Sequence, residues 1–205
     1  WDRGDMTGAV FDFDNDGWQD IYIGSAEYPG TRGLLFHQRS PLQFVPVDTE
    51  DYFLHWRSHG VAVADFDRDG DLDMLIGHSR FRCDGASGEA ECDDIGQVRL
   101  YENLMGDGTH WIQLSLEGAA GTNRQAIGAR VEVANGDTTQ TQQVSGGHGR
   151  FGFQRDKVLH FGLGSSCNAQ VTIHWPDAQG SSQTFSASSD QRYSVTQGSE
   201  PVQMP

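Results

Sequence analysis

Val10-Phe11-Asp12-Phe13-Asp14-Asn15-Asp16-Gly17-Trp18-Gln19-Asp20-Ile21-Tyr22-Ile23-Gly24 returns 53 residues later as Ala64-Asp65-Phe66-Asp67-Arg68-Asp69-Gly70-Asp71-Leu72-Asp73-Met74-Leu75-Ile76-Gly77. Both copies spell D-x-D-x-D-G-x-x-D. An apolar run precedes each (Gly8-Ala9-Val10-Phe11 and Gly60-Val61-Ala62-Val63-Ala64) and another follows (Ile21-Tyr22-Ile23 and Met74-Leu75-Ile76). Strand, acidic loop, strand is the reading of each copy, and the repetition makes this a repeat architecture.

The spacing sets the loop chemistry. A cation of Ca²⁺ size takes six to eight oxygens, and carboxylates at alternating positions of a tight loop can turn toward one centre. Asp12, Asp14 and Asp16 supply positions one, three and five, the carbonyl of Trp18 position seven, and Asp20 position nine. The second loop supplies Asp65, Asp67, Asp69, the carbonyl of Asp71, and Asp73. Gly17 and Gly70 fall at position six, where the chain turns sharply and a Cβ is costly. Four carboxylates this close repel unless a cation fills the cage, so two Ca²⁺ sites are expected. Neither loop is an EF-hand, since no Glu stands at position twelve. Mg²⁺, which keeps its waters, suits an all-protein cage less well.

The loops explain the composition. Of 205 residues, 29 are acidic and 14 basic, a net charge of −15; 21 of the acids are Asp, and Lys157 is the sole Lys. Helices favour Glu and Lys, whereas Asp favours turns and hard-cation loops, so with 26 Gly the chain is expected to be all-β. The charge excludes nucleic acid and anionic membranes as partners, because both reward clustered cations. No apolar stretch is long enough for a membrane-spanning helix. Residues 1–105 carry a net −13 and residues 106–205 a net −2, with turn residues around Gly106 between them.

In the second half the pattern becomes polar-alternating strands: Trp111–Leu116, Ala129–Val133, Thr139–Val144, Val158–Phe161, Val171–Trp175 and Tyr193–Val195. Asn135-Gly136 is a hairpin signal between the second and third of these. A small β-sandwich or barrel is expected.

The first half resembles the FG-GAP/VCBS repeats of integrin-type β-propellers, on the D-x-D-x-D-G-x-x-D loops between short strands. The second resembles the ASPIC/UnbV domain found after such repeats in cartilage acidic protein-like and bacterial secreted proteins. The matching residues are His110-Trp111, Asn123-Arg124, Ile127-Gly128-Ala129-Arg130, Gly146-Gly147, Phe153-Gln154, Leu159-His160-Phe161-Gly162-Leu163-Gly164 and His174-Trp175-Pro176. Asp177-Ala178 departs slightly from the pattern after the Trp-Pro. The resemblance implies two propeller-type blades with calcium loops over 1–105, an ASPIC/UnbV-like β domain over 106–198 and a tail over 199–205. It also implies an extracellular or cell-surface setting. The chain opens on Trp1 and is expected to be a processed or excised product.

The remaining candidates are weaker. Cys83 and Cys92 bracket a Gly- and acid-rich excursion and form either a local disulfide or two unpaired thiols. Cys167 is then a small buried apolar residue or an intermolecular link. His55 and His59 lack the H-E-x-x-H setting of a zinc site. His148 falls in a Gly-rich turn, and His160 and His174 read as strand packing partners. Arg3-Gly4-Asp5 is a chance tripeptide. A propeller closes with four to eight blades, so two would leave sheet edges and an apolar flank open. A longer propeller chain or neighbouring subunits must complete them. The function expected is a non-enzymatic, calcium-stabilised extracellular structural or adhesion module that associates with itself or with other subunits. The alternatives are a polysaccharide-acting enzyme using Arg and His near the loops, or a carbohydrate- or matrix-binding adhesin using Tyr52 and Trp56.

Overall fold

The computed structural model describes residues 7–25, 32–48, 55, 58–78, 97–105, 108–119, 121–136, 138–147 and 156–205. Arg3-Gly4-Asp5, Tyr52, Trp56, His148 and the Cys83/Cys92 pair lie outside these residues. No helix occurs among the described residues, and so none is long and apolar enough to cross a membrane.

Among the described residues, fifteen strands form four sheets. The first is an antiparallel meander of β1 (Thr7–Phe11), β2 (Asp20–Gly24), β3 (Leu34–Ser40) and β4 (Gln43–Val47). The second repeats it with three strands, β5 (Ser58–Ala64), β6 (Asp73–His78) and β7 (Gln97–Tyr101). The register is the same in both. Phe11 pairs with Asp20 and Ala64 with Asp73, so each acidic loop bridges the ends of an antiparallel pair. Alternation points Ala9 and Phe11 of β1 and Val61 and Val63 of β5 inward, where they meet Tyr22, Leu35, Met74 and Ile76 in one core. Each Val, Leu, Ile, Met or Phe among these contributes about 2 kcal/mol by leaving water.

The second half is a sandwich rather than a barrel. One sheet is ordered β10 (Thr138–Gln143), β9 (Arg130–Asn135), β12 (Asn168–His174), β13 (Ser182–Ser188). The other is β11 (Leu159–Gly164), β8 (His110–Glu117), β14 (Gln191–Thr196), β15 (Val202–Met204), with β14 parallel to β8. Val131, Val133, Val171 and Ile173 share one apolar core with Ile112, Leu114, Phe161 and Val195 of the other sheet. Of the Asn135-Gly136 pair expected at the β9–β10 turn, Gly136 lies in it at φ 63°, while Asn135 ends β9 and pairs with Thr138. Residues 199–205, expected as a tail, supply β15, which pairs with β14.

Candidate metal centres

Each loop is built the same way from its backbone outward. Position four takes the left-handed conformation (Asn15 φ 58°, Arg68 φ 68°), and so does position six (Gly17 φ 92°, Gly70 φ 100°). The two left-handed residues coil the loop so that alternate side chains face inward. Position five caps its own turn, since Asp16 Oδ1 accepts from the Trp18 N–H at 2.8 Å and Asp69 Oδ1 from the Asp71 N–H at 2.9 Å. Position nine ties the loop to the sheet. Asp20 accepts from the N–H of Phe13 (3.1 Å) and Gln38 (2.7 Å), and Asp73 from Phe66 (2.9 Å) and Asn103 (2.8 Å). Asn103 also donates to the carbonyls of Phe13 (2.6 Å) and Leu72 (3.2 Å), joining the two loops.

Among the described residues, side-chain ligand atoms converge in three groups that can hold a metal ion: carboxylate oxygens of Asp12, Asp14 and Asp20; those of Asp65, Asp67 and Asp73; and those of Asp14 and Asp16 with an imidazole nitrogen of His37. Positions one, three and nine therefore come together in both loops. In the first loop, position five turns toward His37 of β3, whose Nε2 lies 3.2 Å from Asp14 Oδ2 and 3.3 Å from Asp16 Oδ2. Asp71 turns its side chain away from its own loop and accepts from Asn15 Nδ2 at 2.8 Å.

The donor set fits a hard cation. Oδ1 of Asp12 and Oδ1 of Asp14 are buried without a hydrogen-bond partner, positions an oxyanion does not keep unless a cation or a proton supplies the charge. Burial pushes the Asp12 carboxyl up to about 8, against the lowering bond from the Gly17 N–H, with Asp16, Asp14 and Asp20 repelling it further. Burial likewise pushes Asp20 up to about 6 and raises Asp14, Asp65, Asp69 and Asp73. All-oxygen groups of this kind suit Ca²⁺; the group that includes an imidazole suits a borderline metal better.

The sandwich packs directly on both loops. Asn15, 1% exposed, donates through Nδ2 to the Gly70 carbonyl (3.2 Å) and to Asp71 Oδ1, and its Oδ1 accepts from His160 Nε2 at 2.6 Å. His160 Nδ1 in turn meets Gln113 Nε2 at 3.3 Å, and that amide also donates to Asp65 Oδ2 at 2.6 Å. Because both Gln113 contacts use its NH₂ group, Nδ1 is the acceptor and Nε2 carries the proton, so His160 is neutral. Burial agrees, holding the imidazole down to about 3. The path Asp71, Asn15, His160, Gln113, Asp65 leaves the second loop, crosses the first and the sandwich, and returns to the second. Two glycines allow the approach. A Cβ on Gly162 would overlap Asp12 and the Asn15 backbone, and one on Gly70 would overlap the Trp111 indole.

The motif reading located the loop carboxylates, but Asn15, His37, Asn103, Gln113 and His160 enter the site through folding. His160 is a packing partner, as expected, and what it packs on is the first loop. His174 meets Glu132 across the β9–β12 pair at 3.4 Å. Cys167 is exposed, which overturns its reading as a small buried residue: it sits in the turn between β11 and β12 instead of on an inward strand position.

These features define an all-β chain in which a twice-repeated acidic loop is clamped by a β-sandwich. The family model for the FG-GAP-like repeat matches residues 12–76, and that for ASPIC and UnbV matches 119–202. The chain thus carries an FG-GAP-like repeat followed by an ASPIC/UnbV domain. Cartilage acidic protein 1 from Homo sapiens is 24% identical over 181 residues, covering 84% of this chain and 25% of the relative; the Xenopus tropicalis protein gives 24% over the same length, covering 84% and 26%. The chain spans about a quarter of the length of these curated relatives. A candidate cell adhesion protein from Bacteroides uniformis aligns over 100% of this chain and 91% of its own at 13% identity, with a TM-score of 0.28, which carries no structural argument.

Proposed function

We propose that this chain is a non-enzymatic, calcium-stabilised extracellular module of the adhesion type, with one Ca²⁺ in each acidic loop, working as part of a larger assembly. The observation that carries the reading is the pair of matching carboxylate groups, Asp12/Asp14/Asp20 and Asp65/Asp67/Asp73, in register on two repeated sheets. Asp16, Asp69 and the carbonyls of Trp18 and Asp71 complete the proposed cages. When bound, the cation supplies positive charge to oxygens that burial has stripped of water. What this chain's residues do is hold the cages in place: Asp20 and Asp73 from the sheets, Asn15 and Gln113 from the contact with the sandwich. The extracellular setting is supported by the company of the two domain types.

The assembly part of the reading is supported by the open side of the repeats. Phe11, Phe13, Leu35, Met74 and Tyr101 line a cavity of about 470 Å³ there, edged by exposed Leu104 and Met105, and on the opposite face of β7 Val98 and Leu100 are 70% and 55% exposed. Further blades of one chain, or neighbouring subunits, would cover such a face. Calorimetric titration of the metal-free chain with Ca²⁺ tests the first part. The reading requires binding that raises the melting temperature, and it fails if saturating Ca²⁺ moves the melt no more than Na⁺ at equal ionic strength. Native mass measurement tests the second: association of this chain supports neighbouring subunits, and a monomer at every concentration would contradict them and leave further blades of one chain as the cover.

A further inference from the structure

Away from the loops, three reactive side chains converge on one end of the sandwich. Cys167, exposed in the turn between β11 and β12, places Sγ 3.7 Å from Nε2 of His110, the first residue of β8. Nδ1 of the same imidazole lies 2.8 Å from Asp190 Oδ2, in the turn between β13 and β14. Thiol, imidazole and carboxylate therefore stand in line, drawn from three separate parts of the chain.

The backbone pins this arrangement. The Ser189 N–H donates to the Cys167 carbonyl at 2.9 Å, and the Asp190 N–H to the Trp111 carbonyl at 2.7 Å. The Ser189 hydroxyl donates to Asp190 Oδ2 at 3.0 Å, fixing the carboxylate that faces the ring. Asp190 holds φ 57°, a left-handed position that Asp tolerates and a branched residue would not. With Asp190 accepting the Nδ1 proton, the Nε2 lone pair is left toward the thiol, the tautomer a base needs. Cys167 is exposed, so its thiol suits a small soluble reagent that needs no pocket.

We propose that Cys167 is an activated thiol that exchanges with low-molecular-weight disulfides, with His110 as its base and Asp190 as the residue that positions His110. The Sγ proton passes to His110 Nε2, and Asp190 stabilises the resulting imidazolium. The thiolate attacks one sulfur of a disulfide RSSR; the new S–S bond from Cys167 forms as the S–S bond of RSSR breaks. The departing RS⁻ takes the proton from Nε2, so one thiol and one disulfide give one mixed disulfide and one free thiol. The Cys167 sulfur is oxidised and the leaving sulfur reduced. This proposal stands apart from the cation reading.

The test treats the full chain with oxidised glutathione and follows the mixed disulfide at Cys167 by peptide mass spectrometry, which separates it from Cys83 and Cys92. Among the described residues, the titratable groups facing the thiol are His110 from β8 and, behind it, Asp190 from the β13–β14 turn. An ordinary thiol reacts roughly 80-fold more slowly at about pH 6.5 than at about pH 9, following its thiolate fraction. The native chain is expected to slow by less than about tenfold over the same span, because His110 takes the proton. His110→Gln should restore the ordinary dependence, and Asp190→Asn, which keeps a residue tolerant of the left-handed position, should fall between. A native chain that slows like an ordinary thiol overturns the proposal without reference to any variant. So does a His110→Gln chain, with an unchanged melt, whose profile matches the native one.

Discussion

Asn15→Gly isolates what the sandwich contributes to the loops. Asn15 sits at φ 58°, so Ala there would add backbone strain, whereas Gly removes only the side chain. The change takes the acceptor from the buried His160 Nε2–H and one donor each from the Gly70 carbonyl and Asp71 Oδ1. A buried polar group left unpaired costs about 1–3 kcal/mol; with His160 near the middle of that range and the two oxygens near or below its lower end, the sum is about 3 kcal/mol. For a chain of this length that corresponds to a fall in melting temperature of roughly 6–12 °C. The assay is calorimetry on native and variant chains in saturating Ca²⁺, repeated in a Gln113→Leu background. Because both residues act through His160, their effects should fall short of additive by about 1 kcal/mol. A fall under about 2 °C, or strict additivity, would refute the idea that this path joins loops and sandwich.

Three further outcomes follow from the same geometry. In metal-free protein, Asp12 and Asp20, at about 8 and about 6, keep protons that the unfolded chain, near 3.8, has released, so stability falls as pH rises between about 4 and 8. A bound cation removes that loss, so the melting gap between Ca²⁺-saturated and metal-free chains should widen from about pH 5 to about pH 8; a constant gap would contradict it. His160, lowered from 6.5 to about 3, acts the opposite way: its contribution is present above about 6.5 and lost as pH falls toward 3, in both forms alike, so it cancels from the gap. Gly162→Ala forces a Cβ into Asp12 and Asn15 and should cost about 1–3 kcal/mol, while Gly60→Ala, with open space around its Cβ, should cost under about 1; thermal melts that rank them the other way would count against the docking. Asp67→Ala, at an exposed position of the second loop, should leave the fold intact and remove one of two calorimetric Ca²⁺ binding events.

The loops were legible because cation chemistry is local: ligands two residues apart on a turning chain announce themselves by spacing. The strands of the sandwich were legible where apolar residues alternate, as in β9 and β12. β13, Ser-Gln-Thr-Phe-Ser-Ala-Ser, was missed because it is nearly all polar; Ala187 is its one fully buried apolar residue and Phe185 only packs partly. β15 lay in what read as a tail, since its three residues are stabilised by pairing with β14 and bury little of their own. The joining residues carried no signal at all. Asn15 and His160 are 145 positions apart and Gln113 and Asp65 are 48 apart, and neither pair belongs to a spacing that chemistry demands. Cys167 follows Gly164-Ser165-Ser166, a turn sequence that marked it as exposed in retrospect.

The central claim is that each repeated loop is a calcium cage. The most direct measurement is the number of Ca²⁺ ions retained per chain by native mass spectrometry after exchange from chelator into Ca²⁺, with the Asp12→Asn and Asp65→Asn chains alongside. The account predicts two ions on the native chain and one on each variant. No retained ion, or two on either variant, would contradict it.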